Sequence, residues 1–144
     1  MIYLLRHGDA EKRDGDDANR RLTAKGERQA RAAGKALADL GAEIDACLTS
    51  PRVRAAETAR VACEVLGVEP ETAPELGGGS FDSLALAAGR GDVLLVGHEP
   101  DFSDEVARLT GGKVKLRKGG LAIVDGTTLL SLLGPADLKL IAGL

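Results

Sequence analysis

Three short apolar runs, each cut off by a histidine, an arginine or a serine-proline step, limit what this chain can fold into. Ile2-Tyr3-Leu4-Leu5 stops at Arg6-His7-Gly8, Ala46-Cys47-Leu48 stops before Ser50-Pro51-Arg52, and Val93-Leu94-Leu95-Val96 stops at Gly97-His98. Runs so short and so uniformly apolar read as strands buried on both faces, as in a parallel sheet covered by helices. The intervals between them carry helical spacing. Ala30, Ala33, Leu37 and Leu40 recur on one face of a segment that Thr23 can cap and Gly41 can stop. A second helix is expected with Ser50 as N-cap and Pro51 at its first position, Ala55, Ala59, Ala62 and Leu66 on one face, and Gly67 closing it.

Shorter helices are expected over about 80–88, 101–109 and 135–141, and residues 68–79 leave room for a short strand followed by the Gly77-Gly78-Gly79 turn. In the last third, Val114 and Leu116 alternate with Lys113, Lys115 and Arg117, before runs at 121–124 and 128–133. These read as two or three strands, the first amphipathic, with Lys113, Lys115, Arg117 and Lys118 protecting a sheet edge or, as the alternative, docking an acidic partner. Strands alternating with helices predict one domain over 1–144, a three-layer α/β/α architecture around a mostly parallel sheet of about six strands.

Composition narrows the partners. The chain has 144 residues, 44% of them hydrophobic, with one Tyr and two Phe, so Ala, Val, Leu and Ile must pack the core at close range. A formal charge of −3 and the lack of aromatics among the basic residues argue against a nucleic-acid binder. The opening apolar run is too short for a signal-peptide core or a membrane span, which points to a soluble cytoplasmic protein without membrane partners. The two cysteines, Cys47 and Cys63, have no CxxC spacing and read as small buried apolar residues.

In an open α/β sheet, ligands bind outside the carboxyl ends of the strands. If the three runs are parallel, both histidines of the chain, His7 and His98, meet Arg6 and Arg54 at one edge. With Ser50 as N-cap, Arg54 falls about one turn into its helix and its side chain slants back toward the N-terminus, where unpaired N–H groups and the dipole favour an anion. An imidazole inside a cationic pocket suggests phosphate. Two histidines so far apart, with no HxxxH spacing, give no metal-ligand pattern, and no cofactor is implied.

At this point the chain resembles the histidine phosphatase superfamily, which includes the phosphoglycerate mutases and the SixA-type phosphohistidine phosphatases. The resemblance is carried by Leu5-Arg6-His7-Gly8, by Ser50-Pro51-Arg52-Val53-Arg54-Ala55-Ala56-Glu57-Thr58-Ala59 and by Gly97-His98, in that order, with Arg20-Arg21-Leu22-Thr23-Ala24-Lys25-Gly26 leading into the first helix. It implies a phosphoglycerate mutase-like fold and a phosphatase in which His7 attacks phosphorus while Arg6, Arg54 and His98 hold the phosphoryl oxygens. Residue chemistry agrees. Neutral imidazole, with an ordinary pKa of about 6.5, is available as a nucleophile, and fixed arginines match the spread charge of a transferring phosphoryl group without a metal. Arg20, Arg52 and Ser50 are candidates for supporting contacts to the phosphate, and Asp9 for tuning His7 or Arg54.

The chain departs from the larger members in two places. Those members present a glutamate as proton donor within an inserted helical region, whereas here the stretch from Val68 to Asp92 is short and Glu75, before the glycines, is the only obvious carboxylate in a comparable place. After His7 the chain reads Gly8-Asp9-Ala10-Glu11-Lys12 and lacks the Ser and Asn pattern of the mutase branch. Both departures point to the short SixA-type branch. Phosphohistidine releases imidazole, a far better leaving group than an alkoxide, so its hydrolysis does not demand an acid. The favoured substrate is therefore protein phosphohistidine. Two alternatives stay open: a small-molecule phosphomonoesterase using Glu75 as acid, and a non-catalytic domain that binds a phosphorylated ligand. Glu99 and Asp101 are weaker acid candidates, expected to cap the helix that follows them.

Overall fold

The run Ile2–Leu5 is apolar at every position because it lies at the heart of a sheet covered on both sides. The computed structural model describes residues 1–144. Strands β1 (Ile2–Arg6), β2 (Ala46–Thr49), β3 (Pro70–Thr72), β4 (Val93–Gly97), β5 (Leu121–Asp125) and β6 (Thr128–Leu133) form one sheet in the order β3-β2-β4-β1-β5-β6. β1 to β4 are mutually parallel, β5 runs antiparallel to β1, and β6 antiparallel to β5.

Alternation along β1 divides the interior. Tyr3 and Leu5 pack on one side with residues of α1 (Ala24–Asp39), α2 (Val53–Leu66) and α5 (Pro135–Ala142). Ile2 and Leu4 pack on the other with Phe102, Val106 and Leu109 of α4 (Asp101–Thr110), near the short α3 (Ser83–Ala87). The result is the expected three-layer α/β/α arrangement, with Cys47 and Cys63 free and buried in the first of these clusters. No helix is long and apolar enough to cross a membrane.

Because the core has almost no aromatic volume, α1 and α2 must approach closely. Ala30, Ala33 and Ala36 of one, and Ala55, Ala59 and Ala62 of the other, are fully buried. The contact is tightest at Gly34, where an added Cβ would sit 2.6 Å from the Ala62 carbonyl oxygen. Helix propensity alone favours Gly34→Ala by about 1 kcal/mol, but a methyl forced against backbone costs about 1–3 kcal/mol. The substitution is therefore expected to lower the urea midpoint of unfolding, and a raised midpoint would show that the two helices can move apart freely.

Four local expectations are corrected. Residues 113–117 form no strand: the Leu116 N–H points to the Glu99 carboxylate (3.2 Å) and the Ser103 hydroxyl (3.3 Å) instead of a ladder partner. The last third therefore contributes two strands, and the cations at 113–118 do not protect a sheet edge. Ser50 is not the helix N-cap, because its Oγ accepts the N–H of Arg52 (3.1 Å) in a tight turn and α2 begins at Val53 with Arg52 at the cap position. The helix expected over 80–88 is only Ser83–Ala87, capped by the Asp82 side chain. Thr23 does cap α1, accepting from Gly26 N–H (3.1 Å), while Leu40, expected on the buried face, is 53% exposed.

Candidate active site

Strand order makes the site. β4 lies between β2 and β1, so the segments leaving the carboxyl ends of these three parallel strands are neighbours. His7 follows β1, Ser50 follows β2 and His98 follows β4. The ring centres of His7 and His98 lie 5.3 Å apart, and both side chains are buried. Backbone bonds fix this register: His7 N–H donates to Gly97 O (3.0 Å), and Gly119 N–H to His7 O (2.9 Å).

The His7 ring nitrogen Nδ1 lies 2.7 Å from the Gly8 carbonyl oxygen. A carbonyl only accepts, so Nδ1 carries the hydrogen and Nε2 presents a lone pair. Gly8 is held in turn, its N–H donating to Thr58 Oγ1 (3.0 Å), which donates to Arg54 O (2.7 Å). A side chain at Gly8 would meet the Gly26 carbonyl oxygen at 2.6 Å, so the turn that orients His7 requires the absence of a Cβ.

His98 Nε2 lies 2.7 Å from Ser50 Oγ. Ser50 Oγ also accepts from Arg52 N–H, and when it donates its own hydrogen to Nε2 the imidazole proton resides on Nδ1. That Nδ1 has no partner in the protein, and neither has Arg6 Nε nor Arg54 Nε, although all three are buried. Unpaired buried donors are rare and costly. Three of them on residues gathered at one sheet edge fit an anion with several acceptor oxygens.

Electrostatics keep the imidazoles neutral. Burial, reinforced by Arg54, Arg6 and Lys118, lowers the His7 pKa to about 4. Burial together with His7, Arg54 and Arg52 lowers His98 to about 3. Both ring resonances are therefore expected to titrate below pH 5, checked by following the two histidine Hε1 signals by NMR, and a midpoint near 6.5 for either would remove the argument. Since the unfolded chain binds these protons from about pH 6.5 downward and the native state does not, stability falls as pH drops from 6.5 toward 4.

Arg6 donates through Nη1 to Leu116 O (2.9 Å), and Arg54 donates to Asp17 O (2.9 Å) and to Asp17 Oδ2 (3.3 Å). Asp17, from the polar loop, also pairs with Arg20 (2.9 Å) and Arg52. Arg20 and Arg52 thus reach the site through Asp17, and Arg52 Nε also donates to Gly77 O (2.7 Å). Burial pushes the Asp17 carboxyl up, but Arg54 and Arg20 outweigh it and hold the group below the usual carboxylate range. Sequence reasoning missed Asp17, one of several acidic residues in an aperiodic loop.

Asp9 belongs to the α1 start, accepting from Thr23 Oγ1 (2.8 Å) and lying 3.6 Å from Lys118 Nζ. Glu99 accepts from Ser103 N–H (2.8 Å) in the first turn of α4, as expected of a cap, and from Ser103 Oγ, besides reaching Leu116 N–H. Asp101 instead accepts from Gly79 N–H (3.1 Å). Glu75 lies exposed in the 3-10 turn Pro74–Gly77, and no hydrogen bond or ion pair joins it to His7, His98, Arg6 or Arg54.

An α/β sheet edge that presents a neutral, oriented imidazole among buried arginines and unpaired donors defines a phosphoryl-handling enzyme. Comparison with known proteins gives the particular class. Residues 2–87 match the family model of the histidine phosphatase superfamily, branch 1. An uncharacterized protein of Picosynechococcus sp. is 34% identical over 134 residues, covering 83% of this chain and 81% of its own length. The protein histidine phosphatase SixA complexed with tungstate superposes with a TM-score of 0.82 at 27% identity, over 96% of this chain and 99% of that one. A structure bearing the SixA name from Nakamurella multipartitia gives 0.77 at 25% identity, over 95% and 87% respectively. The chain belongs to the histidine phosphatase superfamily, branch 1, and is a phosphatase.

Proposed function

We propose that the chain hydrolyses protein phosphohistidine, without a metal, through a phosphoryl group carried on His7. The observation that supports this reading best is the set of unpaired buried donors on Arg6, Arg54 and His98 beside the free Nε2 of His7. In the proposed step, the Nε2 lone pair forms a bond to phosphorus as the bond to the substrate imidazole breaks, and the released imidazole takes its proton from solvent. Arg6, Arg54 and His98 Nδ1 stabilise the charge on the three phosphoryl oxygens. Water then attacks phospho-His7, releasing inorganic phosphate and restoring the free ring. The similar SixA structure holds tungstate, another tetrahedral oxyanion, which agrees with this assignment.

Substrate choice follows from the acids. Asp17 is held as an anion by its arginines, and Glu99 is occupied by backbone and hydroxyl donors. Glu75 stands exposed and without a link to the pocket residues. With no proton donor poised, a good leaving group is favoured over an alkoxide. In excess chelator, wild type is expected to release phosphate from a phosphohistidine peptide, and Glu75→Gln to retain that rate within about twofold. If wild type instead turned over only phosphomonoesters, and Glu75→Gln abolished this, the small-ester reading would replace the present one.

A further inference from the structure

Between α1 and α5 runs a groove of about 630 Å³, lined by Lys25, Arg28 and Arg31 of α1 and Lys139 of α5, with no carboxylate side chain in its wall. All four cations are exposed, and none belongs to an ion pair. Like charges brought together on a chain of net charge −3 repel one another and gain only from an anion.

The groove adjoins the catalytic loop through one residue. Gln29 lines it, and Gln29 Oε1 accepts from Asp9 N–H (2.8 Å), two residues beyond His7. Gly119 lies against the same side chain, where an added Cβ would meet Gln29 Cβ at 2.9 Å, and the neighbouring Lys118 reaches to 3.6 Å from Asp9. None of His7, Arg6, Arg54 or His98 lines it. A ligand that fills both places therefore has two parts, a phosphoryl group and a separate anionic stretch. That describes a phosphorylated protein with an acidic segment better than a small ester. The groove lining also contains no aromatic ring on which nucleic-acid bases could stack.

We propose that this cationic groove docks an acidic segment of the phosphorylated protein and so selects the substrate; the proposal rests on the phosphohistidine reading above. The test uses two phosphohistidine peptides of equal length, one flanked by Asp and Glu and one by Ser and Gln, together with phosphoimidazole. It compares wild type with the double variant Arg28→Glu, Arg31→Glu, whose residues touch none of the pocket. For wild type at low salt, kcat/KM is expected to be about tenfold higher for the acidic peptide, and the advantage to vanish at high ionic strength, where the Debye length falls to a few ångströms. The double variant is expected to lose the advantage while turning over phosphoimidazole within about twofold of wild type.

Equal kcat/KM for the two peptides in wild type, or an advantage kept by the double variant, would overturn the proposal. Fluorescence anisotropy with the unphosphorylated acidic peptide separates this from the substrate reading. Binding lost in the double variant supports the groove even if wild type fails to hydrolyse phosphohistidine. Tighter binding of a single-stranded oligonucleotide than of the acidic peptide would overturn it.

Discussion

Replacing His7 by Ala is expected to reduce phosphate release from a phosphohistidine peptide by about 10⁴-fold or more, because the variant lacks the atom that accepts the phosphoryl group. The size of the loss depends on whether a neighbour can substitute. His98 is the only other imidazole, with its ring centre 5.3 Å away, yet its Nε2 is engaged by Ser50 and, with Ser50 as donor, its proton resides on Nδ1. In that tautomer it has no lone pair free for attack. Rapid quenching of wild type with radiolabelled substrate should trap a protein-bound label that survives alkali and is lost in acid, and His7→Ala should trap none. Label retained by His7→Ala would transfer the nucleophilic role to His98 and reverse the roles proposed for the two histidines.

The constellation behind this expectation was legible because it depends on strand ends. Three parallel buried strands can be recognised from apolar runs alone, and an open sheet gathers whatever follows them at one edge. Arg6, His7, Ser50, Arg54 and His98 were therefore identifiable without knowledge of strand order. The order β2-β4-β1 then places the His98 segment between the other two. Thr23 and Gly67 were legible for a different reason, since helix ends are specified by residues a few positions apart.

What the sequence concealed depends on contacts between distant segments. The alternation of Val114 and Leu116 with lysines is a genuine strand pattern, and nothing local opposes it. In the fold, however, Leu116 is buried beside α4, its carbonyl receives Arg6, and its N–H faces Glu99 and Ser103. Tertiary hydrogen bonds outweighed strand propensity there. Ser50 likewise has the sequence signature of an N-cap, but its Oγ is shared between Arg52 N–H and His98, and the helix begins later. Asp17 was hidden most completely, since its role is visible only once Arg20, Arg52 and Arg54 converge on it.

That convergence makes Arg54→Lys expected to be nearly as damaging as Arg54→Ala. Both terminal nitrogens of Arg54 are engaged by Asp17, at 2.9 Å to its carbonyl oxygen and 3.3 Å to Oδ2, and Nε is the nitrogen with no partner at all. A guanidinium can serve Asp17 with one part of its fork and a phosphoryl oxygen with another, whereas an ammonium is a single point. Lysine at this position must abandon either the loop or the substrate. Loss of one charge-stabilising donor lowers turnover by about 10²–10³-fold. The expectation is a fall of that order in kcat for both variants, with kcat/KM falling in parallel, since the contact strengthens as charge spreads in the transition state. A rise in KM alone, with kcat preserved in Arg54→Lys, would mean that Arg54 only gathers substrate and that Arg6 and His98 stabilise the transferring phosphoryl group between them.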